Sequence, residues 1–114
     1  MATMNHAARA YEAASVHRSQ RAQEADVFRR VTGALRASRG GNAIGKVRAL
    51  ADNRLLWITV DDLMRDPAST LPVTLRANIV SVGLAVQREM DKDEPDFEFL
   101  IGINDQILAG LSDD

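Results

Sequence analysis

The sequence has no cysteine, only two histidines, and no long apolar run. Without cysteine the chain forms no disulfide and no thiolate metal site, which fits a reducing compartment. No apolar stretch approaches the ~18 residues that a membrane-spanning helix needs. The N-terminus has no basic segment followed by an apolar one, so we expect no secretory signal. We therefore expect a cytoplasmic protein with no membrane association, and the 114 residues suit one domain.

Groups that carry catalysis or bind metals are also scarce. His6 and His17 lie three helical turns apart, about 16 Å at ~1.5 Å per residue, which is too far to share a metal. The glycine-rich stretch 40–46 ends in Gly-Lys, but no serine or threonine follows and no strand precedes it, so a turn is the better interpretation. Asp61 and Asp62 are adjacent and would point about 100° apart on a helix. We expect no catalytic, cofactor or metal site, and no enzyme activity.

Charge is distributed unevenly along the chain. Residues 1–48 carry nine Lys/Arg and three Asp/Glu, whereas residues 49–114 carry five and thirteen. The basic half could favour an anionic partner such as RNA. Alternatively the two halves attract each other across the fold or simply solvate their helix faces, which we prefer because the basic residues are scattered along the predicted helices. The acidic run 91–96 precedes a predicted helix, where negative charge favours the helix N-terminus.

Breaks in the pattern divide the chain into five helical segments. Strong breaks fall at 40–42, 66–70 and 93–96, with a weaker one near 19–22 that rests on polarity alone. No segment alternates with period two, so we predict no sheet. The sequence predicts an all-α protein, a small antiparallel bundle of about five helices. The predicted helices cover residues 3–17, 24–38, 42–65, 72 to the third break, and 95–111, with Asn42 as an N-cap and Pro72 in a first turn.

The predicted helices differ in how much apolar surface they carry. The first is alanine-rich with a thin apolar face, so residues 1–20 are expected to form a mobile or docking helix beside a bundle of residues 21–114, within one domain overall. In the third, Ile44, Val47, Leu50 and Ala51 form one stripe, and 55–60 is apolar nearly all round. That pattern predicts a central helix with neighbours on more than one side.

Several polar residues interrupt these apolar helices. A buried amide or guanidinium needs partners, so these residues either form inter-helix hydrogen bonds or contact a partner protein. They include Asn53, Arg54, Arg76 and Asn104. Trp57 is expected to anchor the core. Gly83, unfavourable inside a helix by about 1 kcal/mol against alanine, indicates a close helix crossing.

Two motifs resemble a known family. They are Leu-Ala-Asp-Asn-Arg-Leu-Leu-Trp at 50–57 and Leu-Pro-Val-Thr-Leu-Arg-Ala-Asn-Ile-Val-Ser-Val-Gly-Leu at 71–84. Together with segments at 10–14, 24–35 and 100–111, they resemble the FlaF family of flagellar biosynthesis regulators over about residues 10–111. The chain departs from that pattern at Ala85, where the family often has a bulky aromatic, and at Gly102, where an acidic residue is usual.

The resemblance implies a non-enzymatic function. FlaF-like proteins are associated with flagellin production and export, which implies a flagellin-binding secretion chaperone acting alongside the regulator FlbT, with no cofactor. A helical bundle suits this because an apolar groove accepts an amphipathic helix, such as a terminal segment of flagellin. The candidate contacts are apolar residues without an evident place in the core: Tyr11, Val80, Leu84, Phe99 and Ile103. The alternatives are an RNA-associated translational regulator of flagellin and a scaffold for FlbT.

Overall fold

The described part of the protein forms four α-helices. The computed structural model describes the backbone of residues 6–112, and side chains for 7–9 and 22–110. The helices are α1 (His6–Ser38), α2 (Ala43–Arg65), α3 (Val73–Met90) and α4 (Phe97–Ser112), and the described part contains no strand. The predicted all-α class is confirmed. The side chains of His6, Tyr11 and His17 lie outside the described set.

The weak break expected near residues 19–22 is absent, since α1 runs unbroken for 33 residues. This stretch contains neither glycine nor proline, and its arginine, glutamine and alanine residues are good helix formers. Polarity alone therefore does not interrupt the helix, and the first two predicted helices are one element. The separation into a docking helix of residues 1–20 and a bundle of 21–114 stays a prediction.

The ends of the other helices follow local chemistry. Asn42 is the N-cap of α2, as predicted, and its Oδ1 accepts a hydrogen bond from the Gly45 N–H at 2.8 Å. Pro72 is the residue before α3 rather than a member of its first turn. Asp96 starts α4 in the same way as Asn42 starts α2, because its Oδ1 accepts from the Phe99 N–H at 3.2 Å.

Each helix packs beside its neighbours in the chain, and α1 also packs against α4. Arg76 near the start of α3 bonds to Met64 near the end of α2, and Arg39 directly after α1 bonds to Glu98 at the start of α4, so the helices of each pair run antiparallel. The contact between α3 and α4 is sparse. None of the helices, as far as they are described, combines the length and apolar character that a membrane crossing requires.

The core lies where the four helices meet. Its largest fully buried side chains are Trp57, Leu35, Leu100 and Val86. Phe28 meets the Trp57 ring edge-on, with ring centroids 6.3 Å apart at 86°. Further buried apolar members are Ala25, Val31, Ala49, Leu56, Met90 and Ile101. These buried side chains come from all four helices, so the core joins every helix to the others.

The close crossing expected at Gly83 is present. A Cβ atom placed on Gly83 would lie 3.3 Å from Cε3 of Trp57, closer than ordinary van der Waals contact. The glycine therefore lets α3 approach the indole ring directly. Its cost in helix propensity is offset by this contact between α2 and α3.

Candidate partner-binding surface

A relay of buried side chains crosses the bundle from α2 to α4. The Trp57 Nε1–H donates to Oδ1 of Asn104 at 2.9 Å, and Nδ2 of Asn104 donates to Oδ1 of Asn53 at 2.8 Å. Nδ2 of Asn53 then donates to the Met90 sulfur at 3.3 Å. Because indole only donates, it fixes the orientation of both amides. Asn53 and Asn104 are fully buried, so their polar groups meet one another and not a partner.

The two arginines expected in the helix framework also bond within the chain. Arg54 donates to Oε1 of Gln87 at 3.2 Å and to Oδ1 of Asp91 at 3.0 Å, which joins α2 to the end of α3. Arg76 donates to the carbonyls of Leu71 at 3.2 Å and Met64 at 3.5 Å. It thereby satisfies acceptors in the α2–α3 connection.

The predicted contact residues occupy two different helices. Leu84 is 51 % exposed on α3, and Val80 is half-buried one turn earlier. On α4, Phe99 is exposed, but Ile103 packs partly against the core. The structure does not join these pairs into one row. Tyr11 has no described side chain to place.

Sequence reasoning missed an exposed apolar feature on α2. Five residues at steps of three and four share one face of this helix, and we call them the α2 row: Ile44, Val47, Ala51, Leu55 and Ile58. Ile44 is 66 % exposed, Val47 65 %, Leu55 65 % and Ile58 45 %. The buried residues Ala49 and Leu56 lie on the opposite side of the helix. The expectation that these positions face neighbouring helices was wrong.

A second row lies on α3. Val73, Ala77, Val80 and Leu84 recur at steps of four, three and four, and we call them the α3 row. Val86, which is buried, lies on the opposite side of α3. Since α2 and α3 are antiparallel neighbours that each turn the other side toward the core, both rows lie on the outer face of this hairpin. Contiguous exposed apolar patches on a protein surface mark interaction sites.

Opposite charges join the basic first half of the chain to the acidic second half. Arg36 forms an ion pair with Asp105, and Arg39 forms one with Glu98 at 2.6 Å. Both pairs run from α1 to α4. These contacts support the interpretation that the two halves attract each other within the fold.

A cleft of about 640 Å³ opens at the end of the bundle, between the start of α2 and the α3–α4 connection. Arg39 and Lys46 line it on one side and Asp93, Glu94 and Asp96 on the other. Its charges are of both signs, which favours no single class of small ligand. Among the described residues, no group of three or more histidine or acidic side chains is placed to hold a metal ion.

The α3–α4 connection is held by Glu89. Its carboxylate accepts hydrogen bonds from the Asp96 N–H at 3.0 Å and from Nζ of Lys92 at 3.0 Å. The Asp96 N–H bond, followed by the Lys92 ammonium, lowers the pKa of the Glu89 carboxyl below its usual range. The charged form of Glu89 thus fixes the position at which α4 begins.

Comparison with known protein families identifies a match over nearly the whole chain. A family model described as flagellar protein FlaF matches residues 7–111. No curated protein and no solved structure matches the chain. The matched span includes α2, α3 and most of α1 and α4, so it contains both rows and the buried relay.

Proposed function

The chain belongs to the FlaF family of flagellar proteins, and from this premise we propose that it is a flagellin-binding secretion chaperone that couples flagellin synthesis to export. We place its action in the cytoplasm, before flagellin leaves the cell. The observation that carries the proposal is the exposed apolar face of the α2–α3 hairpin. A chaperone needs such a face to cover apolar client surface until assembly.

The α3 row has the form that a client helix requires. Its members lie at steps of four, three and four, which match the i, i+3, i+4 and i+7 anchors of an amphipathic helix. Val73 and Leu84 are among the most exposed large apolar residues of the described chain. We propose that the α3 row binds a terminal helical segment of flagellin.

The length of α1 adds a second element to this proposal. At ~1.5 Å per residue, its 33 residues span about 50 Å, whereas the 23 residues of α2 span about 35 Å. Because α1 is longer than α2, part of its N-terminal half extends beyond the end of α2. We propose that residues 1–20, including Tyr11, dock on the bound client and extend the apolar surface that covers it.

Calorimetry with the cognate flagellin tests the proposal. We expect the wild-type chain to bind with a dissociation constant in the micromolar range or below, about −8 kcal/mol. Leu84→Glu places a charge in the α3 row and should weaken binding at least about tenfold. Asn78→Glu introduces the same side chain at an exposed position of α3 outside the row and should leave binding unchanged. Absence of binding by the wild-type chain refutes the proposal.

Two further measurements distinguish the alternatives. Retention of FlbT without flagellin in separate pull-downs would favour a scaffold. Retardation of the flagellin leader transcript in a gel shift, falling steeply with salt, would favour an RNA-associated regulator. We rank both below the chaperone because the ion pairs of Arg36 and Arg39 with α4 engage part of the basic charge that RNA would need.

A further inference from the structure

The α2 row has a spacing that is symmetric about its centre. Ile44 and Ile58 each lie seven residues from Ala51, and Val47 and Leu55 each lie four residues from it. The four steps cover 14 residues, an average of 3.5 per step, which is the period of a coiled-coil seam. All five positions are exposed.

This symmetry matches the row to a reversed copy of itself. In an antiparallel pair of α2 helices, Ile44 meets Ile58 of the second copy and Val47 meets Leu55 of the second copy. Ala51 meets its own equivalent on the two-fold axis, where a small side chain lets the helices approach closely. An interface related by a two-fold axis needs this self-complementarity.

The charges beside the α2 row are also self-complementary about this two-fold axis. Arg48 and Asp52 are both exposed on one flank of the row, and within the described part of the chain neither has an ion pair or side-chain hydrogen bond. Antiparallel pairing about Ala51 faces this flank with the same flank of the second copy, which leaves Arg48 and Asp52 of the second copy about 3 Å apart along the helix axis, and the two-fold axis repeats the pair. Parallel pairing would instead face this flank with the opposite flank of the second copy, so Arg48 would not meet Asp52 of the second copy.

We propose that a second copy of this chain docks on the α2 row to form an antiparallel two-fold dimer. This goes beyond the proposed function, because it uses the α2 row and needs no flagellin. Two helices in contact over about four turns bury less than a standard interface of ~1,600 Å². The dimer is therefore weak and depends on protein concentration.

Analytical ultracentrifugation of the full chain without flagellin tests the dimer. The average mass should rise with concentration from 12.5 kDa toward twice that value. Leu55→Glu should weaken association at least about tenfold, whereas Leu84→Glu in the α3 row should leave it unchanged. Leu55 is 65 % exposed, so its substitution leaves the core intact, which circular dichroism verifies. A wild-type chain that stays at 12.5 kDa at all concentrations overturns the proposal.

Cysteine cross-linking tests the position of the axis. Because the chain has no cysteine, Ala51→Cys introduces a unique thiol. Mild oxidation should link two Ala51→Cys chains rapidly through a disulfide across the axis. Ala77→Cys, an exposed alanine in the α3 row, is the matched control and should remain monomeric on the same timescale. Equal linking of both variants overturns the assigned interface.

Charge reversal tests the direction of pairing. Arg48→Asp places two like charges opposite each other twice and should weaken the dimer about fivefold. Adding Asp52→Arg restores opposite charges, with the signs exchanged, and should restore association. A double variant as weak as the single one overturns the antiparallel arrangement. Binding to flagellin is measured separately, so failure of the dimer and failure of the chaperone proposal are distinguishable.

Discussion

Replacing Asn104 with leucine should destabilise the protein strongly, because one side chain serves two buried groups. Asn104→Leu keeps a similar volume but removes the acceptor of the Trp57 Nε1–H and the donor to Oδ1 of Asn53. Each buried polar group without a partner costs about 1–3 kcal/mol, and the added apolar burial offsets part of this. We expect a net loss of about 3 kcal/mol from a total of roughly 5–15 kcal/mol.

The double variant Asn53→Leu with Asn104→Leu gives a sharper expectation. It leaves only the indole N–H of Trp57 without a partner in the relay, whereas Asn104→Leu leaves two groups. The double variant should therefore be more stable than Asn104→Leu alone, by about 1 kcal/mol. If Asn53 and Asn104 each stabilised the protein independently, the double variant would instead be less stable than Asn104→Leu.

Urea unfolding measures both effects. Trp57 is the only tryptophan and is 1 % exposed, so its fluorescence reports directly on this part of the core. Circular dichroism should give a coincident transition, and the melting temperature of Asn104→Leu should fall by roughly 10 °C. Asn78→Leu, at an exposed asparagine, should change stability by less than about 0.5 kcal/mol. A cost below about 1 kcal/mol for Asn104→Leu would refute the reasoning from unpaired groups.

Three further predictions concern local structure. Gly83→Ala should lower the free energy of unfolding despite a gain of about 1 kcal/mol in helix propensity, because the new Cβ would lie too close to the Trp57 ring. The ring is held in place by its hydrogen bond to Asn104. Thermal unfolding measures the change in stability. The pKa of Glu89 is lower in the folded state than in the unfolded state. Its contribution to the free energy of unfolding is therefore complete above the unfolded pKa of 4.5 and is lost as pH falls through the lower pKa of the folded state. Glu89→Gln should therefore flatten the pH dependence of stability in that acidic range, measured by urea unfolding between neutral and acidic pH. Asn42→Ala removes an N-cap and should cost about 1 kcal/mol in the same assay, whereas Asn42→Gly should cost only a few tenths.

The helix boundaries were predictable because they depend on a few neighbouring residues. Asn42 caps α2 through a bond to a residue three positions later, and a sequence shows that relation directly. The helix boundary predicted near residues 19–22 was wrong, and that prediction rested on polarity alone, without a glycine or proline. A polar stretch is compatible with a helix when one side faces water, so polarity is weak evidence for a break.

The α2 row could not be predicted because α2 carries two apolar rows. Leu56 and Trp57 lie on the buried side and Leu55 and Ile58 on the exposed side, although all four belong to one apolar run. Helical period assigns residues to faces, but it does not say which face has a neighbour. That choice depends on where α1 and α3 pack, which is a property of the whole fold.

The relay was predictable only in part. Amides inside apolar helices indicate inter-helix hydrogen bonds, and Asn53 and Asn104 do bond to each other. Their common partner, the Trp57 indole, could not be assigned, because the pairing requires two helices that meet across the core. Trp57 and Asn104 lie 47 positions apart in sequence.

We expect the relay to help fix which apolar row α2 presents to solvent. A helix with apolar side chains nearly all round offers a second apolar side for burial, since Leu55 and Ile58 lie on the exposed side and Leu56 on the buried side. Hydrogen bonds are directional, so the Trp57–Asn104–Asn53 relay forms in one rotation only. Buried polar groups have this specifying role in some helical assemblies. The double variant without both asparagines should therefore keep its helical content while the disulfide yield of Ala51→Cys falls. An undiminished yield would show that packing alone fixes the rotation of α2.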